Sequence, residues 1–157
     1  MPRYYQSTHS LFIQALPEKI FGALTDWAAR AQWRPGLSVE WEGGAQAFVH
    51  QKVVFRVKSL FPYSFSYRVT GLEPPHRIYM EYTGKPLAGR SAVEITPEEG
   101  GSRVAFHWMK VEPRGPLARF YFALGLGTRS HANRTRKTLR MLKDYLEKNG
   151  SSEALSV

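Results

Sequence analysis

Alternating apolar and polar residues in the middle of the chain predict a series of β-strands. Between residues 49 and 57, apolar side chains alternate with charged ones, which is the period-two pattern of a strand with one buried face. Gln51 is the only polar residue on the apolar face of this run. Further strand-like runs lie, in chain order, at residues 4–14, 37–41, 63–69, 78–82, 93–95 and 104–108. Short connections join the later runs, so the pattern predicts an antiparallel meander of about seven strands.

A pair of short helices is predicted to interrupt the strands. Pro17 suits a first helical turn because its fixed φ is helical and its missing N–H would have no partner there, and Glu18 adds a carboxylate at the positive end of the dipole. Asp26 stands where its side chain can cap a second helix that ends near Trp33. The apolar face of the first helix consists of Ile20, Phe21 and Leu24.

Helical periodicity returns at residues 116–149, and Gly150 is expected to end the helix. Gly125 and Gly127 each cost about 1 kcal/mol inside a helix, so either the chain breaks there or a neighbouring group needs the space. The two interpretations do not exclude each other. The middle of the apolar stripe is small or polar, which leaves room beneath the helix; its residues there are Thr128, His131, Ala132 and Thr135.

Composition favours a single globular domain. The chain has 157 residues, of which 43% are hydrophobic, and no linker divides it. We expect one domain over residues 1–150 and a flexible C-terminal tail over residues 151–157. Cysteine is absent, which excludes disulfides and thiolate sites, and the N-terminus lacks the regions of a signal peptide, so a cytoplasmic location is expected.

The predicted order of elements resembles the START-like (SRPBCC) helix-grip superfamily, in particular its polyketide cyclase/dehydrase-like group. The resemblance covers nearly the whole chain and depends on the order and spacing of several short segments. These are residues 17–26, Trp33-Arg34-Pro35, the turn at 73–77, residues 96–104 and the helix end at 139–147. It implies an α+β helix-grip fold, in which a curved antiparallel sheet surrounds a long C-terminal helix and encloses an apolar cavity for a small hydrophobic ligand.

The cavity implied by the resemblance predicts which side chains contact a ligand. Strand residues in the apolar phase should point toward the helix, although each of them could equally be ordinary core packing. The predicted ligand-binding residues are Trp33, Gln51, Val53, Phe55, Phe65, Tyr67, Met80, Tyr82, Leu124, Thr128, His131 and Thr135.

Catalytic candidates are few. His107 and His131 are the candidate acids or bases, each paired with a tyrosine such as Tyr82 or Tyr67, because imidazole titrates near neutrality and a phenol can donate to an oxyanion. The strand pattern leaves the direction of His107 open. Motifs for metalloproteases, serine hydrolases, phosphate-binding loops and dinucleotide binding are absent, so we expect neither a metal nor another cofactor.

The net charge of +9 is concentrated in the last helix. A solvated outer face of a docked helix accounts for it most simply, contact with an anionic membrane comes second, and nucleic acid comes last. Phe120-Tyr121-Phe122 beside Arg119 is the segment that could touch a membrane.

Two hypotheses about the function therefore remain. The first is binding or transport of a hydrophobic small molecule or lipid, and the second is a cyclase/dehydratase acting on an aromatic or polyketide-like substrate. We favour binding because no acid/base pair stands out.

Overall fold

The fold is known from a computed structural model, which describes residues 4–58, 63–84 and 86–155, with side chains up to residue 148. Seven strands and four helices are present in this part of the chain. In order they are β1 (Tyr5–Ile13), α1 (Pro17–Thr25), α2 (Trp27–Trp33), β2 (Leu37–Trp41), β3 (Lys52–Val57), β4 (Tyr63–Glu73), β5 (Arg77–Thr83), β6 (Leu87–Glu98), β7 (Gly101–Pro113), α3 (Pro116–Ala123) and α4 (Leu126–Leu155).

All seven strands form one antiparallel sheet in the order β1-β7-β6-β5-β4-β3-β2. Strands β2 to β7 are the predicted meander. Strand β1 pairs with β7, with Leu11 opposite Val104, so the two ends of the strand series meet. The predicted α+β helix-grip fold is confirmed, with its seven-stranded curved sheet, its pair of helices after β1 and its long C-terminal helix.

Both helix starts in the first half agree with the sequence. Pro17 is the first residue of α1, and Glu18 lies in its first turn. The Asp26 carboxylate accepts hydrogen bonds from the backbone N–H groups of Ala28 and Ala29, at 3.1 and 3.2 Å, and so caps α2 as predicted. The Asp26 cap stabilises the corner between α1 and α2.

The C-terminal region forms two helices with a break at Gly125, whose φ of +77° favours glycine. Gly127 is needed for space, because a Cβ atom there would lie 2.5 Å from the Phe122 ring. The break and the close approach therefore both occur. The expectation that Gly150 ends the helix is wrong, since α4 continues to Leu155; the flexibility of the tail stays a prediction.

Three apolar clusters hold the helices on the sheet. The largest lies under α1 and the second half of α4. A second cluster around Trp27 and Val69 fixes α2 to β3 and β4, and a third joins Phe122 of α3 to Trp108 of β7. The large residues that α4 buries in the first cluster are Leu139, Leu142 and Leu146.

The sheet bends where β7 carries a bulge. The register of β7 shifts against both β1 and β6 beside Met109, and an extra residue of this kind kinks a strand and increases its twist. Gly89 of β6 lies at this bend with a φ of +124°, and a Cβ atom on it would collide with the carbonyl oxygen of Lys110. The bend therefore requires glycine at position 89.

We expect Gly89→Ala to lower the free energy of unfolding by about 3 kcal/mol or more. Alanine is strained at this positive φ, and the backbone of Lys110 must also move away from the added Cβ atom. Gly100→Ala is the matched control: Gly100 also has a positive φ, of +81°, but has no atom within 4 Å of the added Cβ. Its cost should stay near 1–2 kcal/mol, roughly that of the left-handed conformation alone. Urea unfolding followed by circular dichroism measures both, and equal losses would contradict the role of the close approach.

Candidate ligand-binding cavity

A cavity of about 140 Å³ lies between the sheet and the helices α2 and α4. Its sheet wall consists of residues from β2 to β7, and Thr135 and His131 of α4 form part of the opposite wall. Thr135 is buried but small, so the middle of α4 leaves space between itself and the sheet. One turn later, the larger side chain of Leu139 is buried in the core and leaves no such space. The predicted gap beneath the centre of the last helix is therefore present.

Aromatic rings form most of the sheet wall. Phe55 packs edge-on against Tyr67 with ring centroids 5.0 Å apart, and Phe65 lies 6.0 Å from Tyr82 in the same manner. Tyr67 and Tyr82 are cross-strand partners on β4 and β5, with centroids 4.5 Å apart. Such a wall offers ring faces and edges to an apolar or aromatic ligand.

Two tyrosine hydroxyls meet in this wall. The Tyr67 hydroxyl donates to the Tyr82 oxygen at 3.1 Å, and the indole N–H of Trp108 donates to the same oxygen at 2.9 Å. Burial raises the pKa of Tyr82 and, more strongly, that of Tyr67, whose pKa the neighbouring Tyr82 raises further. Both phenols therefore stay protonated at neutral pH and act as hydrogen-bonding groups.

His131 forms a stack with Trp108. The two ring centroids are 3.4 Å apart at an interplanar angle of 18°, and Nε2 of His131 lies 3.4 Å from the Thr135 hydroxyl. Burial lowers the pKa of His131 to about 3, and the nearby charge of Arg134 contributes in the same direction. The imidazole is therefore neutral at physiological pH.

Three arginines also line the cavity. The guanidinium carbon of Arg30 lies 4.9 Å from the Phe55 ring centroid, and that of Arg134 lies 4.5 Å from the Tyr63 centroid. Arg34 donates from Nε to the Thr138 hydroxyl at 3.2 Å and so links α2 to α4. Burial lowers the pKa of Arg30 to about 10, which leaves the group charged at neutral pH.

The arginines were not among the predicted site residues, although the sequence contains a signal for Arg30. It lies three residues after Trp27 and three before Trp33, so it shares their helix face, and both tryptophans are buried. A charged residue on the buried face of a short amphipathic helix indicates an interior site. The periodicity of apolar residues alone does not reveal it.

The structure brings together seven of the twelve predicted ligand-binding residues. Those that line the cavity are Phe55, Phe65, Tyr67, Met80, Tyr82, His131 and Thr135. Contact of these residues with a ligand stays a prediction. Those outside the lining are Trp33, Gln51, Val53, Leu124 and Thr128.

Each residue outside the cavity has another role. Trp33 is 4% exposed in the main core, and its indole donates to the Ala23 carbonyl; Val53 packs in the cluster around Trp27. Leu124 lies at the helix break and is 58% exposed. The Thr128 hydroxyl donates to the carbonyl of Gly125. An apolar or small residue in the right phase of a helix or strand therefore need not reach the cavity.

Gln51 is a structural residue. Its amide oxygen accepts from the Trp27 indole at 2.8 Å and from the Phe48 backbone N–H at 3.3 Å. Its amide nitrogen donates to the carbonyl oxygens of Glu42 and Gly44, at 2.8 and 3.0 Å. The side chain is 1% exposed and fully hydrogen-bonded, and it ties the loop before β3 to α2.

His107 lies on the outer face of the sheet. It pairs across the strands with Thr8, and its Nδ1 is 2.9 Å from the Thr8 hydroxyl, an exposed contact. Cross-strand partners share a face, and the neighbouring residues Phe106 and Trp108 point inward. The imidazole is therefore bonded on the outer face, while the residue itself is also among those that line the cavity. A catalytic role for His107 stays a prediction.

The predicted membrane-contacting segment is only partly exposed. Phe120 and Tyr121 are exposed on α3, but Phe122 is buried against Trp108 and Tyr5. Contact with an anionic membrane stays a prediction. Within the described residues, no helix is both long and apolar enough to span a membrane.

Comparison with known proteins identifies the class of protein. A family model described as polyketide cyclase / dehydrase and lipid transport matches residues 5–147. The protein belongs to this family, as the resemblance in the sequence predicted. No curated protein matches the chain.

Several solved structures share the fold. The Mll3558 protein from Rhizobium loti is 20% identical, with a TM-score of 0.70 over 91% of this chain and 97% of that one. The Aha1 dimer from Colwellia psychrerythraea is 20% identical, with a TM-score of 0.64 over 91% and 96%. The di-domain ARO/CYC BexL of the BE-7585A biosynthetic pathway is 18% identical, with a TM-score of 0.72 over 92% of this chain and 50% of that one.

We expect Gln51→Leu to lower the free energy of unfolding by about 2–4 kcal/mol, because it leaves buried backbone groups and the Trp27 indole without partners. Gln6→Leu, on the exposed side of β1, is the control and should change stability by less than about 0.5 kcal/mol. Denaturant titration checks both. A loss of ligand affinity without a loss of stability would instead indicate that Gln51 contacts the ligand.

The low pKa of His131 predicts how stability depends on pH. Its pKa is 6.5 ordinarily and about 3 in the fold, so between these values the unfolded chain binds a proton that the folded protein does not. The free energy of unfolding should therefore fall as the pH falls from about 7 toward 3, with a contribution from His131 on the order of 2–4 kcal/mol.

Replacing His131 should reduce this dependence. His131→Gln should flatten the pH profile of the unfolding free energy, whereas His50→Asn, at an exposed turn position, should leave it unchanged. Urea titrations at several pH values measure the profile. Equal profiles for His131→Gln and the wild-type protein would contradict the buried, neutral state of the imidazole.

Proposed function

We propose that this protein binds or carries a small hydrophobic molecule in the cavity under α4. The observation that carries the proposal is an interior space walled by aromatic rings, in a fold whose long helix has small side chains above that space. Membership of a family described by cyclisation, dehydration and lipid transport supports it.

Binding is favoured over turnover by the protonation states of the cavity. An effective general acid or base at neutral pH needs a pKa near 7. Among the described side chains that face the cavity, His131 has a pKa of about 3, Arg30 has one of about 10, and both buried tyrosines have theirs raised. These groups can orient a ligand but are poor at exchanging a proton with it.

The volume limits the ligand. A cavity of about 140 Å³ is close to the roughly 150 Å³ of an engineered apolar cavity that holds benzene. In this conformation the site accommodates about one ring or a short branched chain. A larger ligand would require α4, α2 or the sheet edge to move apart.

Native mass spectrometry of freshly purified protein, followed by titration with single-ring aromatics, tests the proposal. We expect a bound small molecule, or binding of ligands such as toluene, that Thr135→Phe weakens at least about tenfold because the new ring fills the space. Thr128→Phe adds the same ring to α4 outside the cavity and should leave binding unchanged. An empty protein that binds none of these molecules would contradict the proposal.

A cyclase/dehydratase activity is the second candidate. It is favoured by the hydroxyl pair of Tyr67 and Tyr82, which faces the cavity and could donate to an oxyanion. Such an enzyme should lose most of its turnover in Tyr82→Phe, whereas a carrier should lose only a few-fold in affinity. His107, whose Nδ1 contacts Thr8 on the outer face of the sheet, supports this candidate less than the two tyrosines do.

A further inference from the structure

The charged groups of the cavity all have the same sign. Arg30, Arg34 and Arg134 line it, and no Asp or Glu is among its described lining residues. None of the three arginines forms an ion pair with a carboxylate in the described part of the chain. Burial is the main cause that lowers the pKa of Arg30 and of Arg34. Repulsion between like charges adds to it, since Arg34 lowers the pKa of Arg30 and Arg134 lowers that of Arg34.

Two buried polar atoms of residues in the cavity wall lack a hydrogen-bond partner. One is Nε of Arg30 and the other is the hydroxyl oxygen of Ser91, which lies on β6 opposite Met80 and Trp108. Leaving a buried donor of a charged group unpaired costs more than leaving a neutral one unpaired, so such groups are rarely unsatisfied without a reason. Both atoms belong to residues of the cavity wall.

The surroundings of Arg30 hold its guanidinium in place. Its carbon lies 5.9 Å from the ring centroids of both Trp27 and Trp33, in addition to 4.9 Å from that of Phe55. These aromatic faces stabilise the cation but accept no conventional hydrogen bond in the plane of the guanidinium. Nε of Arg30 therefore keeps a donor that these rings do not satisfy.

We infer that the ligand is a small hydrophobic acid, whose carboxylate is bound by Arg30 with support from Arg34, Arg134 and the Ser91 hydroxyl. This inference rests on the proposed function and specifies the class of ligand. A carboxylate supplies the missing acceptor and the missing negative charge together, and a planar guanidinium matches it with two donors. A neutral ligand would leave three positive charges without compensation. The apolar body of the acid would lie against Phe65 and Tyr82.

The test compares three single-ring probes of similar size: benzoate, its neutral isostere benzamide, and toluene. Backbone amide chemical shifts in NMR titrations at neutral pH measure each affinity. We expect benzoate to bind at least about tenfold more tightly than benzamide, because its contact with the guanidinium is charge-assisted. Arg30→Gln should weaken benzoate binding about tenfold or more and leave benzamide and toluene within about twofold.

Arg136→Gln is the matched control. Arg136 is exposed on α4, and this substitution changes the net charge by the same amount as Arg30→Gln does. It should leave all three affinities within about twofold. If Arg30→Gln does not fold, Arg134→Gln provides the same comparison from the other wall. Thermal unfolding of each variant shows whether it is folded.

The outcomes separate the inference from the proposed function. Equal binding of benzoate and benzamide would overturn the inference and leave the binding function standing, as would an equal loss of benzoate affinity in Arg30→Gln and Arg136→Gln. Failure of all three probes to bind would contradict the proposed function, and the inference with it.

Discussion

The packing of α4 against the sheet is the constraint on which the site depends. Leu139, Leu142 and Leu146 are buried in the main core, and before the break Phe122 of α3 packs on Trp108. Between these two anchors, α4 places only small or polar side chains over the sheet. A helix held at both ends cannot collapse into the space beneath its middle, so the cavity is maintained by the geometry of the anchors.

The cavity combines an apolar wall with donors that have no acceptor. Burying a charged group is costly unless it is paired, and even in a buried ion pair the cost of desolvation can exceed the attraction between the charges. Here Arg30 is enclosed by aromatic rings, and its Nε has no partner. Apolar lining and unpaired positive charge together describe a site complementary to an amphipathic anion. In a core that serves only stability, an unpaired charge would be a net cost.

Much of the fold could be predicted from the sequence, because each predicted element has a local cause. Pro17 and Asp26 mark helix starts by their own chemistry, and alternation marks the strands. The direction of His107 could not be predicted, since both faces of β7 carry apolar residues and only the pairing with Thr8 on β1 decides between them. Gln51 is similar: a polar residue on an apolar face indicates an interior role, but its partners come from a loop and a helix that the strand pattern does not place. The arginines of the cavity come from α2 and α4, and only the tertiary structure shows that they meet.

The most direct measurement of the central claim is a crystal structure of the protein soaked with benzoate. The account predicts density for one ring between Phe65, Tyr82 and α4, with a carboxylate oxygen within hydrogen-bonding distance of the Arg30 guanidinium. Binding of benzoate only at the protein surface, or in the cavity with its carboxylate turned away from the arginines, would contradict it.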